Sequence, residues 1–312
     1  MTRDQIIDSS NLIKRFCRDY NVPVSTYCGY WFTKQLSTLS IHDLTYVEKW
    51  DEFCDELSNF ETEDEYFAYY NDVKDVVIKY IQNHPEYECF SNILGFDTEK
   101  HFNKKELYTP ENDKKNFISI DLRKANYTIM NKYCPTLFKG KSWEKFLNDF
   151  GASNYIQGSK YIRQVIFGAC NPKKQIQAQT AFMNHLALRL EKKGFTPYSV
   201  VTDEIIYECD SYDTYFHLIN AINDIGITKL DKDNIKITKF KLTYHNIGYN
   251  KEILNGDNPY DIGKVIFKCV DSDFMGQYIK YYYGEHIEER DLVFDYKGKV
   301  ATFNTPIRNP FK

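Results

Sequence analysis

Asp121 closes an apolar run, NFISIDL, and far along the chain Asp203 and Glu204 stand side by side in VVTDEIIYE. Hard carboxylate oxygens suit Mg²⁺ or Mn²⁺, and two or three of them held close repel one another unless a cation neutralises them. Phosphoryl transfer uses such a site: one ion activates an attacking hydroxyl while the other steadies a leaving diphosphate. A plainer reading is that Asp203 fills a hairpin turn, a place Asp favours for its own backbone hydrogen bonds. Cations with phosphate chemistry are also present. Lys160 and Arg163 lie one helical turn apart, and a guanidinium can grip phosphate with two hydrogen bonds; a solvated helix face is the plain alternative. Residues 229–241 hold five Lys against two Asp. There Lys236 points opposite Ile235 and Ile237, while Lys239 and Lys241 have the opposite parity to Phe240 and Leu242; these lysines either meet nucleic-acid phosphates or guard an edge strand. His185 and His245 have no metal-type residue at ligand spacing and read as core or surface residues.

Bringing Asp121 to Asp203 requires neighbouring strand ends, and the pattern supplies them. NFISIDL suits a buried strand ending at Asp121. A helix over 174–193 carries Ile176, Phe182, Met183, Leu186 and Leu190, with Gly194 as its C-cap. TPYSVVTDEIIYEC reads as a β-hairpin with Asp203 and Glu204 at its tip. Tyr215, Leu218, Ile219 and Ile222 mark another helix, and IKITKFKL a last strand whose parity change predicts a bulge near Thr238. Strand, helix, hairpin, helix, strand predicts an α+β, ferredoxin-like antiparallel sheet with its helices on one face. Residues 1–112 form a helical N-terminal region, with a break at TPENDKK; 113–255 carry the sheet; 256–312 form a small α+β appendage containing a strand at VIFKCV, a helix near 274–283 and a hairpin through DYKGK.

Composition sets the outer limits. The net charge of −4 excludes a global basic footprint, so any contact with nucleic acid must use a local groove. Residues 43–66 hold ten Asp or Glu against one Lys, the counterpart of the lysine-rich segment. The 42% apolar and 16% aromatic residues supply ample material for burial. Eight scattered cysteines show neither a CxxC pair nor zinc spacing, which predicts reduced thiols. MTRDQIIDSS has no apolar signal stretch and no window matches a membrane span, which predicts a cytoplasmic protein without a membrane partner. Heavy use of Lys, Asn, Ile and Tyr is usual in AT-rich phage and viral genomes, where the compartment would be the host cytoplasm.

FISIDLRKANYTI resembles the first palm motif of reverse transcriptases and related polymerases. VVTDEIIYE resembles the third palm motif, closest to the HDEIVxE form of family A DNA polymerases, with Thr202 in place of their His. Between them SKYIRQVIFG is similar to the nucleotide-binding fingers helix of family A, with Arg163 in place of Lys and Phe167-Gly168 matching the aromatic-Gly pair. NPKKQIQAQTAFMNHL stands where reverse transcriptases have a Gly-rich turn entering the long palm helix, but lacks the Gly. The likeness covers 113–245, and it would make 113–255 a polymerase palm with a fingers insertion.

The resemblance implies that Asp121, Asp203 and the backbone carbonyl of Leu122 hold Mg²⁺ or Mn²⁺, with Glu204 as a supporting carboxylate. It further implies that Lys160 and Arg163 face a nucleoside triphosphate, Phe167 stacks on its base or sugar, and Lys236, Lys239 and Lys241 approach the leaving phosphate and the primer. Asn126 would stand at the 2′-OH of the sugar; a one-residue shift would put Tyr127 there as a steric gate. The activity so implied is addition of nucleotides to the 3′ end of a DNA or RNA primer, with low processivity or a protein partner that encloses the duplex. A tRNA-guanylyltransferase-like, reverse-direction enzyme is similar in its SDE hairpin, though its acidic motifs are expected closer together. From another class, a palm-derived binding or structural protein would keep the fold without the chemistry.

Overall fold

A computed structural model of the chain describes residues 1–99, 101–209, 211–225 and 233–312; Lys229 and Lys232 of the lysine-rich segment lie outside the described residues. Residues 1–91 are mostly helical, as their periodicity predicts: α1 (Arg3–Asp8), α2 (Ser10–Tyr20), α3 (Gly29–His42), α4 (Thr45–Leu57), α5 (Glu63–Gln82) and α6 (Pro85–Ser91). β1 (Asn116–Leu122) is followed by α7 (Ala125–Tyr133), α8 (Trp143–Asn148), α9 (Asn154–Gly158), α10 (Lys160–Gly168) and α11 (Pro172–Glu191). The hairpin of β2 (Ser199–Val200) and β3 (Glu204–Glu208) leads to α12 (Tyr212–Asp224), β4 (Ile235–His245), β5 (Gly248–Gly256) and β6 (Val265–Lys268). Last come α13 (Ser272–Tyr282), β7 (Val293–Tyr296) and β8 (Lys299–Thr302).

Two compact units result, and neither is a continuous stretch of chain. The first comprises Met1–Tyr80, Lys141–Ile166 and Val270–Lys312; the second comprises Ile81–Gly140 and Phe167–Cys269. The divisions therefore do not fall at 112 and 255. Breaks in composition mark loops, whereas a unit is defined by which core a segment returns to, and 141–166 and 270–312 both return to the N-terminal helices.

In the first unit, Phe32 of α3 meets Trp50 of α4 with ring centroids 4.8 Å apart, and Phe53 meets Tyr155 of α9 at the same separation. Among these rings Asp19 is fully buried, paired with Arg15 at 3.2 Å and accepting from Ser159 Oγ at 2.9 Å, Tyr155 Oη at 3.2 Å and Tyr70 Oη at 3.3 Å. The C-terminal segment is tied in through Gln35, whose Nε2 donates to the Val293 carbonyl at 2.8 Å. Lys297 and Gly298, both at positive φ, make the two-residue turn between β7 and β8.

The second unit is built on a six-stranded sheet in the order β2-β3-β1-β4-β5-β6, with all neighbours antiparallel. The order β2-β3-β1-β4 is the ferredoxin-like arrangement that the sequence predicts, and β5 and β6 extend it. Alternation along β1 puts Phe117, Ser119 and Asp121 on one face and Ile118, Ile120 and Leu122 on the other. The second face lies under α12, whose Ile219 and Ile222 approach Ile235 and Ile237 around a cavity of about 370 Å³. On the first face Leu107, Phe117, Ile206, Phe240, Leu242, Tyr249 and Ile253 form one apolar cluster. β4 thus buries residues of both parities, and its register against β1 runs unbroken. A bulge does fall near Thr238, between Lys239 and Phe240 in the β4–β5 pairing, but its extra residue is Leu254 of β5 rather than a residue of β4.

Among the described residues no helix is long and apolar enough to cross a membrane. All eight cysteines are free thiols.

Candidate active site

Asp121 is the penultimate residue of β1, the central strand between β3 and β4. The register sets it opposite Glu204 on one side and Lys236 on the other. The hairpin tip is fastened to the same strand end, because the Leu122 N–H donates to the Asp203 carbonyl at 2.9 Å. Val201 N–H closes the tip on the Glu204 carbonyl at 2.9 Å, leaving Asp203 exposed. Glu204 bends back along the face, where Ser119 Oγ donates to its Oε1.

The electrostatics of this strand end are unbalanced. Burial, together with the charges of Glu204 and Asp203, pushes the Asp121 carboxyl up to about 6, against the weaker pull of Lys251 and Lys236. Among the described residues its carboxylate has neither a hydrogen-bond donor nor an ion-pair partner. A half-buried carboxylate crowded by like charges would be relieved by a proton or by a cation. Hard oxygens from Asp121, Asp203 and Glu204 fit Mg²⁺ or Mn²⁺ by chemistry. Their oxygens do not form a set within 4.8 Å of one another; among the described residues only Asp97, Glu99 and His101 do so, all three exposed.

Backbone geometry around the site departs from ordinary choices in two places. Lys124, the N-cap of α7, has φ 45°, a left-handed conformation that costs a non-glycine residue energy. Arg123 braces this turn: its N–H donates to the Asn234 carbonyl at 2.8 Å, and its guanidinium meets Asp257 at 2.7 Å. Asn171, the N-cap of α11, has φ 52° and accepts from the Lys174 N–H through its side chain. Asn tolerates this region better than other non-glycine residues, so the turn into α11 forms without the glycine whose absence the sequence makes conspicuous.

The other candidate residues are placed unequally. Asn126, half-buried on α7, accepts from Gln179 Nε2 at 2.7 Å, whereas Tyr127 is buried against Phe138 with centroids 4.9 Å apart. Phe167 is fully buried 6.5 Å from Phe138, so its ring is already packed where the resemblance implies stacking on a base. Lys160 is exposed. Arg163 is half-buried near Glu144 in the first unit, and burial lowers its pKa. Lys236 shares the Asp121 face and is paired with Asp261 at 3.4 Å. Lys239 is on the helix face, only 6% exposed, with its ammonium 3.5 Å from the Ser211 carbonyl. Lys241 has the same parity as Lys239 and stands opposite Glu252.

Three residues of the acidic face are absent from the sequence-based expectation. Ser119, two before Asp121, could have been read from strand alternation. Lys251 of β5 and Tyr108, whose hydroxyl is raised by burial and by Glu204, arrive through the β4–β5 register and the segment crossing the sheet, neither of which local patterning reports. Neither a family model nor a curated protein matches this chain.

Proposed function

We propose that the chain is a metal-dependent nucleotidyltransferase that adds nucleotides to the 3′ end of a DNA or RNA primer. The observation that carries this reading is Asp121: a half-buried carboxylate with no donor among the described residues, facing Glu204 across one strand pair and the Asp203 hairpin at its own strand end. Asp121, Asp203 and the Leu122 carbonyl would hold Mg²⁺ or Mn²⁺, which would supply charge neutralisation at the attacking hydroxyl and the leaving diphosphate. Glu204, fixed by Ser119, shapes the field around Asp121. The ferredoxin-like order supports the reading because it is the arrangement that puts the end of the first strand beside the tip of the central hairpin. Primer extension with labelled DNA and RNA primers, using wild type, Asp121→Asn and Asp203→Asn, tests it; near-normal incorporation by either variant would remove the assignment.

A second reading, a palm-derived binding protein without chemistry, draws on the burial of Phe167 and Lys239 and on the spread of the three carboxylates. Mn²⁺ binding that is identical in wild type and Asp121→Asn would favour it.

A further inference from the structure

The connection from β5 to β6 carries a tyrosine that the core does not use. Tyr260 is 86% exposed, and Ile262 beyond it 51%. Their backbone is nevertheless fixed. Pro259 opens a 3₁₀ turn over Pro259–Asp261, and Asn258 caps it by accepting from the Tyr260 N–H through its side chain at 3.2 Å. The Gly263 N–H then donates to the Ile253 carbonyl at 2.8 Å, which ties the connection to β5. Asp261, the last residue of the turn, takes Lys236 at 3.4 Å on one oxygen and Lys264 at 2.9 Å on the other. Lys236 is the register partner of Asp121 on β1. The exposed ring is therefore next in sequence to a carboxylate that gathers two ammoniums beside the end of β1, and one carboxylate cannot neutralise both. A ring held in solvent on a fixed turn, with excess positive charge at its side, matches what a single nucleic-acid strand presents: an uncovered base and its phosphates.

We propose that Tyr260, Lys236 and Lys264 form a docking site for the 3′ end of a single-stranded nucleic acid, with a base stacked on the Tyr260 ring and the adjoining phosphates on the two ammoniums. This rests on the reading above only in taking nucleic acid as the partner. A single strand fits because stacking on a protein ring needs a base whose face is not already covered. Every base has such a face, so the site is tolerant of sequence. Charge orients the strand. Asp121 stands across the register from Lys236, and Glu204 across from Asp121. Both repel phosphate, so the terminus directed at them is one that ends in a hydroxyl.

Fluorescence anisotropy with short 5′-labelled RNA and DNA oligonucleotides, in chelator so that no metal takes part, tests this on the full chain as wild type, Tyr260→Leu, Tyr260→Phe, Lys264→Gln and Asp121→Asn. Tyr260 and Lys264 lie at the surface, and thermal melts check that each variant folds. Tyr260→Leu is expected to weaken binding roughly tenfold, while Tyr260→Phe, which keeps the ring, stays close to wild type. Lys264→Gln should weaken it and lower the slope of log affinity against log salt by about 0.7. An oligonucleotide ending in a 3′-phosphate should bind more weakly than its 3′-hydroxyl counterpart, and Asp121→Asn should narrow that difference; a 3′-phosphate without effect would overturn the orientation. Wild-type binding that folded Tyr260→Leu and Lys264→Gln leave unchanged would overturn the docking site while keeping nucleic acid as the substrate. A Tyr260→Leu chain that binds normally but sediments at a lower mass than wild type would make the ring a contact between copies of this chain instead. Failure of wild type to bind any oligonucleotide at low salt would overturn both this site and the primer-extending reading.

Discussion

Asp19 in the first unit and Asp121 in the second are both carboxylates that burial pushes above their ordinary range, yet their surroundings are opposite. Around Asp19 the Arg15 charge and the hydroxyls of Ser159, Tyr155 and Tyr70 all favour the ionised form and partly offset burial. Around Asp121 the strongest neighbours, Glu204 and Asp203, add to burial. A carboxylate with a full set of donors is a structural element, costly to remove and closed to ligands. One that is half-buried, without donors and beside like charges leaves its cost unanswered, and such strain concentrates where a ligand completes the structure.

Exchanging the two residues' fates is the sharpest test of that contrast. Asp121→Asn and Asp203→Asn should each lower nucleotide incorporation by roughly a thousandfold or more, since each removes a proposed metal ligand. Asp19→Asn should leave Mn²⁺ binding in place. Stability should respond the other way: Asp19→Ala strands the Arg15 guanidinium among Tyr70 and Tyr161, and is expected to cost about 3–5 kcal/mol by chemical denaturation. An Asp19→Ala protein as stable as wild type would erase the distinction.

Asp121→Asn should instead stabilise the fold. Because the folded pKa, about 6, lies above the ordinary 3.8, the native state holds this proton more tightly than the unfolded chain. Its contribution to stability is therefore fully present below the unfolded value and is lost as pH rises through about 6. At pH 7.5 the neutral amide should gain about 1–2 kcal/mol, a figure reduced for solvent screening. Melts at pH 5 should show that gain shrinking, because Asp121 there is mostly protonated; a gain that is constant with pH would mean the crowding is not electrostatic.

The sheet and the Asp121–Glu204 meeting were legible because each depends on local signals: an apolar run ending in Asp, a TDE tip, and helices of clear period between them. Alternation alone also separates Lys236 from Lys239. Position along the chain could not reveal that both faces of β4 are buried, so the parity change from Ile237 to Phe240 looked like a bulge in β4 and is instead two cores served by one strand. Nor could it reveal that 141–166 and 270–312 return to the N-terminal helices, which depends on long-range contacts with no local signature. Lys251 was hidden for the same reason: its face is decided by the β4–β5 turn, from which the register runs unbroken to Ile253.

The smallest expected effect concerns the sugar, where Asn126 and Tyr127 repeat the contrast between open and satisfied groups. Tyr127 is buried and packed edge-on against Phe138, so it cannot act as a gate without leaving the core. Asn126 is half-buried, with its Oδ1 taken by Gln179 and its Nδ2 without a partner among the described residues. That amide N–H is free to donate to a 2′-OH, and a deoxynucleotide would leave it undonated. Ribonucleotides should therefore be used at least as well as deoxyribonucleotides. Asn126→Ala should lose about 1 kcal/mol of ribose preference, roughly a fivefold change in the ratio of kcat/KM values. Gln179→Ala supplies an internal check, since it frees the Asn126 amide to turn and should weaken the preference in the same direction but by less. Matched ribo- and deoxyribonucleotide incorporation on these variants and on Tyr127→Ala measures all three. Strong deoxyribose selectivity that vanishes in Tyr127→Ala would show that Tyr127 leaves its buried place to meet the sugar, and would sink the assignment to Asn126.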